Sequence, residues 1–227
     1  MSEPQEIFDL LAAPFPVDDI SWRVGPTNER SRQQDQPLRG QALAYIDARV
    51  VMDRLDSVVG FDGWQCTYTP GVATSIVCNI GIKFPLIIGG QNVGHEWIWK
   101  ADGAGPSDME ADKGALSDAF KRAGVRWGIG RYLYDLKAPW IELEKRGNTA
   151  IIKADDYAKL NALHDDFAKR SGWGEGVGIA AYRILIAEVE ALAIPARQDF
   201  AREHQGKIAQ LPPAMRRHLM TKLERAA

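Results

Sequence analysis

Apolar residues at positions 46, 50, 51, 55, 58 and 59 recur with helical spacing and stop at Gly60, which predicts a helix over residues 44–60. The period then changes. After the turn signal Phe61-Asp62-Gly63-Trp64 come three strand-like runs, WQCTYTPG, TSIVCNIGIKF and NVGHEWIWKADG, parted by Gly and Pro. They predict an antiparallel meander, and in the last run Val93, His95, Trp97 and Trp99 fall on one face. Helical spacing returns with Leu116, Phe120, Ala123 and Trp127 as the apolar stripe. Ser107 is expected to cap this helix, with Glu110 completing a capping box, and Gly128 and Gly130 to end it.

The flanks are less regular. EIFDLLAAPF near the start is a short amphipathic piece, and the polar stretch from Gly25 to Gly40 predicts little regular structure. Past Pro139, WIELEKRGNTAII reads as a hairpin turning at Arg146-Gly147-Asn148, and a helix is expected from about Asp155 to Arg170. GWGEGVG at 172–178 reads as a glycine-rich linker, followed by helix broken at Pro195 and Pro212-Pro213. The expected organisation is an arm at 1–40, a main domain at 41–171, the linker at 172–178 and a helical segment at 179–227. The fold class is α+β.

Composition narrows the class of molecule. With 45% hydrophobic and 26% charged residues in 227, the chain reads as an ordinary globular protein. The opening MSEPQEIFDLLAAPFP has no basic leader, and IVCNIGIKFPLIIGG is broken by Lys83 and Pro85, so neither export nor membrane insertion is expected. The expected location is the cytoplasm. Cys66 and Cys78 are the only cysteines and read as reduced strand residues. The four histidines are scattered, with no spacing suited to a metal, and no metal, cofactor or catalytic centre is expected. GVRWGIG and GWGEGVG lack the lysine and the strand-to-helix setting of a phosphate loop. Asp108, Glu110 and Asp112 cluster at a helix start, where acids suit the helix dipole. As magnesium ligands they would instead make the chain a DNA nuclease.

One local feature stands against the formal charge of −2. Lys121, Arg122, Arg126 and Arg131 lie within eleven residues with no acid among them, and Asp118 is the one nearby carboxylate at helical spacing. The run ends in Trp127, Tyr132 and Tyr134. Cations that follow phosphates, next to aromatics that stack on bases, suit single-stranded nucleic acid. A second basic amphipathic stretch lies in PPAMRRHLMTKLERA, a candidate nucleic-acid contact or partner-docking helix.

The block DAFKRAGVRWGIGRYLY at 118–134, together with YIDARVVMDRLD at 45–56 and GFDGW at 60–64, resembles the Rad52/Rad22 family of single-strand annealing proteins, especially its phage and bacterial members. The blocks also occur in that family's order, over about residues 40–145. The resemblance implies a β-β-β-α core, a homo-oligomer forming a ring or helical filament, and single-stranded DNA held in a groove for annealing without ATP. It implies that Arg49, Lys121, Arg122 and Arg126 line the groove. Phe61 stands where eukaryotic members carry a tyrosine and would contact DNA by stacking or packing, without a hydroxyl. Arg131 is typical of the phage-like branch. A single-strand binding protein and an exonuclease are expected partners. The alternatives are the nuclease above and a scaffold whose basic helix docks an acidic tail of a single-strand binding protein.

Overall fold

The computed structural model describes residues 4–30, 36–89, 91–105 and 111–170, and beyond these 185–186, 188–189, 191–211, 216, 219–220 and 222–223. The expected cap at Ser107 and Glu110, the linker at 172–178 and the proline pair at 212–213 lie outside these residues.

The chain order is α1 (Pro4–Leu11), β1 (Ser21–Thr27), β2 (Arg39–Tyr45), α2 (Ala48–Val59), β3 (Trp64–Pro70), β4 (Ile76–Ile88), β5 (Gln91–Ala104), α3 (Ala111–Arg126), β6 (Trp140–Arg146), β7 (Thr149–Ile152), α4 (Tyr157–Ala168), α5 (Ile194–Glu203) and α6 (Gln205–Gln210). Two antiparallel sheets result, β3-β4-β5 and β1-β2-β6-β7. The chain is thus α+β. The meander and the hairpin at Arg146–Thr149 form where the sequence pattern puts them. No helix among the described residues is long and apolar enough to cross a membrane.

Side-chain alternation decides what the meander covers. Cys78, Ile80, Ile82 and Phe84 of β4 are buried and form one core with Ala119, Phe120 and Ala123 of α3 and with Trp127 just after it. Trp127 stacks on Phe84 at 6.1 Å and donates its indole N–H to the Ile80 carbonyl. The expected helix stripe is corrected at one position. Leu116 is 37% exposed, while Ala115 and Ala119 are buried, because a helix packed closely on a sheet turns its small residues inward. Trp64 of the Phe-Asp-Gly-Trp turn packs on Phe120 and bonds Asp56 of α2.

The helix expected over 44–60 begins only at Ala48. Residues up to Tyr45 are drawn into β2, which pairs with β1 on one side and β6 on the other. β1 runs through Gly25 to Thr27, inside the stretch expected to be irregular. Partners distant in the chain supply these strands, and local pattern does not show them. Trp22 of β1 is buried and its indole bonds Asn161 of α4.

Residues near the start are bound in by a buried cation. Arg54 is 4% exposed. Its Nη1 donates to the carbonyls of Leu10, Leu11 and Ala13 at 3.1, 3.2 and 2.6 Å, and its Nη2 to Pro14 at 3.4 Å. Its guanidinium also lies 3.8 Å from the centre of the Phe15 ring. It therefore closes the carbonyl end of α1, where a positive charge also suits the helix dipole. Burial pushes its pKa down to about 10, which leaves it charged at neutral pH. Leu10 and Ala13 form a second core cluster with Val189, Ile208, Leu211, Leu219 and Leu223 of the C-terminal segment.

A second buried polar link runs from the Phe15 N–H to the Tyr132 hydroxyl (3.1 Å) and from that hydroxyl to His164 Nε2 (2.8 Å). The hydroxyl accepts from Phe15 and pairs with His164 Nε2, while the other ring nitrogen, Nδ1, faces Asp165 Oδ1 at 3.4 Å. Burial holds the His164 pKa below its ordinary 6.5, and Asp165 offsets this only in part.

Two predictions follow for stability. Arg54→Ala leaves several buried carbonyls without a donor and should cost roughly 3 kcal/mol or more. Arg54→Lys should rescue little, because an ammonium lacks the planar fork. Chemical denaturation of the two variants checks both. For His164, the unfolded chain takes up a proton that the fold refuses. Stability should therefore fall as pH drops below about 6.5 toward the lower folded value, and be fully present above it. Denaturation midpoints at several pH values should show this slope flattened in His164→Gln.

Candidate functional site

Helix α3 ends where the glycines predict. Gly128 and Gly130 have φ of 92° and 65°, left-handed values that favour glycine. A side chain at Gly130 would also strike Ile46, at 2.8 Å. This turn folds residues 129–138 back beside α3 and opens a cleft between the helix, the β1–β2 pair and the end of β5.

The cleft holds about 1230 Å³. Arg23, Lys121, Arg122 and Lys137 line it against two carboxylates, Asp118 and Asp135, so it is positive on a chain whose total is negative. Tyr45 and Tyr134 line it too. Tyr134 is 74% exposed, and Lys121 Nζ lies 6.0 Å from the centre of the Tyr45 ring. Asp118, Lys121, Arg122 and Val125 follow the i, i+3, i+4 rhythm that puts them on one face, and Ile129 joins the lining from within the glycine turn.

The six sequence-predicted residues are not all brought together. Lys121 and Arg122 line the cleft, with Lys121 bonded to Asp118 at 2.8 Å. Arg126 joins them through Asp102 of β5, a carboxylate that spacing did not reveal. Asp102 Oδ1 accepts from Arg122 Nη2 at 3.1 Å, and its Oδ2 accepts from Arg126 Nε at 3.2 Å. The basic run is thus more balanced than the sequence implies, through one carboxylate 20 residues before Arg122 and 24 before Arg126. Burial would raise the Asp102 pKa, but the Gly103 N–H and the two guanidinium groups hold it below the ordinary carboxylate range.

Arg131 is spent differently. It donates to the carbonyls of Val125 and Arg126 at 2.7–2.9 Å, closing the C-terminus of α3. Lys100 of β5 donates to the Arg126 carbonyl and lies 4.4 Å from the centre of the Trp127 ring. Arg49, on the first turn of α2, is exposed away from the cleft lining, and Phe61 is 86% exposed at the turn before β3. Of the aromatics ending the basic run, Trp127 is core, Tyr132 is tied to His164, and Tyr134 alone stands open.

Among the described residues no group of three His, Cys, Asp or Glu could hold a metal ion. Asp108 and Glu110, two of the three candidate nuclease ligands, lie outside them. Cys66 and Cys78 are free thiols, and burial pushes the Cys78 pKa up to about 11, so it keeps its proton.

Residues 3–149 match the model of the Rad52/22 family of double-strand break repair proteins, which is more than half of the chain. The chain belongs to that family. Two single-stranded DNA-binding proteins named DdrA are similar to this Rad52/22 member. The one from Deinococcus deserti is 37% identical over 132 residues, 58% of this chain and 58% of its own length. The one from Deinococcus radiodurans is 34% identical over 151 residues, 66% of this chain and 65% of its own length. The match thus spans about six-tenths of each relative.

The geometry makes the cations unequal. Arg131→Ala should lower the melting temperature by unsealing α3, whereas Arg122→Ala should leave it within about 2 °C, because exposed pairs add little stability. Thermal melting of both variants by circular dichroism checks this.

Proposed function

We propose that this chain binds single-stranded DNA along the α3 cleft and anneals complementary strands without ATP, as a homo-oligomer in recombination and repair. The observation that carries the reading is the positive cleft that Lys121 and Arg122 line within the family's motif. The names of the two Deinococcus relatives support it.

The chemistry is physical rather than covalent. Lysine and arginine neutralise phosphates and release counterions, which drives binding and removes the repulsion between two strands. Tyr45 and Tyr134 offer rings on which bases stack whatever their sequence. Duplex formation is itself downhill, so no nucleotide fuel is needed. One cleft is short. Repeating it around an assembly supplies the continuous field that holds a strand over many nucleotides.

Self-association is supported by the outer side of the meander. Trp97 and Trp99 are 38% and 43% exposed there and meet at 6.2 Å, with Trp99 lying over Gly81. Ile88 and Val93 near the hairpin tip are exposed as well. Apolar surface of this kind marks an interface. Arg49 and Phe61 would then touch DNA on a stretch leading away from the cleft, and Arg131 would act by shaping the end of α3.

The deciding test is annealing of two complementary labelled oligonucleotides without ATP. The wild type should accelerate pairing. Lys121→Ala/Arg122→Ala should bind single strands about tenfold or more weakly and lower the salt slope of binding by about one to two. Size-exclusion chromatography should show its oligomer intact. No acceleration by the wild type would overturn the annealing reading, and unchanged binding by the variant would overturn the cleft.

A further inference from the structure

Asp102 occupies an unusual place on this face. It is one carboxylate shared by two arginines a helical turn apart, and it reaches them from a strand rather than from their own helix. Arg122 bonds Oδ1 through Nε and Nη2, at 3.3 and 3.1 Å, and Arg126 bonds Oδ2 through Nε at 3.2 Å. The Gly103 N–H donates to Oδ1 at 2.8 Å and fixes the carboxylate in place. Asp102 is 20% exposed, while the arginine side chains are 53% and 61% exposed. The acid therefore lies beneath the two guanidinium groups, and their outer edges face solvent.

Asp118, on α3 itself, is held differently. Asp118 meets Lys121 from the preceding turn of the same helix and is 51% exposed. Such a carboxylate can turn into water when a phosphate arrives, at little cost. Asp102 has no such freedom, because its backbone is paired in β5 and its oxygens are already held. An incoming phosphate must share Arg122 and Arg126 with it. An anchored acid among phosphate-binding cations subtracts from strand affinity, and exposed pairs of this kind add little stability in return.

We propose that Asp102 is a built-in competitor of DNA phosphate: it occupies the inner N–H groups of Arg122 and Arg126, so the strand is held by their outer edges and can be surrendered once paired. This rests on the single-strand reading above and adds to it a residue that sets how tightly strands are held. A protein that anneals must release what it binds, because the product duplex has to leave the cleft.

The test is fluorescence anisotropy with a labelled oligothymidylate, titrated across a series of NaCl concentrations, for the wild type and for Asp102→Asn, Asp102→Ser, Asp118→Asn and Arg122→Ala. Both Asp102 variants should bind roughly three- to tenfold tighter at low salt, with a salt slope steeper by about one phosphate's share, ~0.7. Asp118→Asn should change affinity less. With tightly held strands, the Asp102 variants should also anneal more slowly at saturating protein. Affinity unchanged in both Asp102 variants would overturn the proposal. So would affinity lowered as far as in Arg122→Ala, which would make Asp102 an orienting residue instead. If the wild type fails to bind the oligothymidylate, the single-strand reading falls and takes this one with it. Wild-type binding with either of the other results would remove the Asp102 assignment alone.

Discussion

A guanidinium group buried away from water must find acceptors, and Arg54 finds them at the end of a helix more than forty residues earlier. Much else hangs on that pairing. It sets α1 against α2, and α1 carries Phe8 to the turn that follows α3. A side chain at Gly128 would meet Phe8 and Ala12, and the cations of Lys100 and Arg131 lie 5.8 and 5.9 Å from the centre of the Phe8 ring. The C-terminal end of α3 is therefore braced from behind by α1 and from below by Trp127 on Phe84. The cleft opens on the other flank of the same helix, so its geometry inherits the rigidity of this corner.

The division of labour along α3 follows from that placement. Phe120, Ala123 and Trp127 bind the helix to the meander. Lys121 and Arg122 face the cleft, and Arg126 sits at the seam with β5. Arg131 is the fourth member of the basic run on paper, after Lys121, Arg122 and Arg126, yet its hydrogen bonds are spent on the helix end. Charge density in a sequence therefore overstates the charge available to a ligand. Of this run, only the outer edges of a few guanidinium groups and one lysine remain on offer.

What was legible in the sequence was local. The meander, the hairpin at Gly147 and the glycine stop after α3 all rest on neighbours a few residues apart. The β1–β2–β6 pairing was not legible, because its partners lie up to about a hundred residues away, as with Gly40 and Ile141. Arg54 was missed because a charge reads as exposed, although its place between Val51 and Leu55 within an apolar stripe was a signal. Asp102 gave no signal at all, since an acid in a strand has no spacing relation to a helix. Leu116 was expected inside and stands outside because hydrophobicity ranks Leu above Ala, while close helix-to-sheet packing ranks them the other way.

Helix α1 belongs to two cores at once. Ile7 and Leu11 pack into the main one, within the part of the chain that matches the family, whereas Leu10 and Ala13 pack with a C-terminal segment that lies beyond that match. Neighbouring residues in and just after one short helix are thus held by different cores. Val189 and Leu219 share a cluster with Leu10, and Leu11 belongs to the other. Grafting the C-terminal segment of one relative onto the domain of another would have to carry positions 10 and 13 with it, so these two positions are expected to covary with the tail rather than with the fold in which they sit.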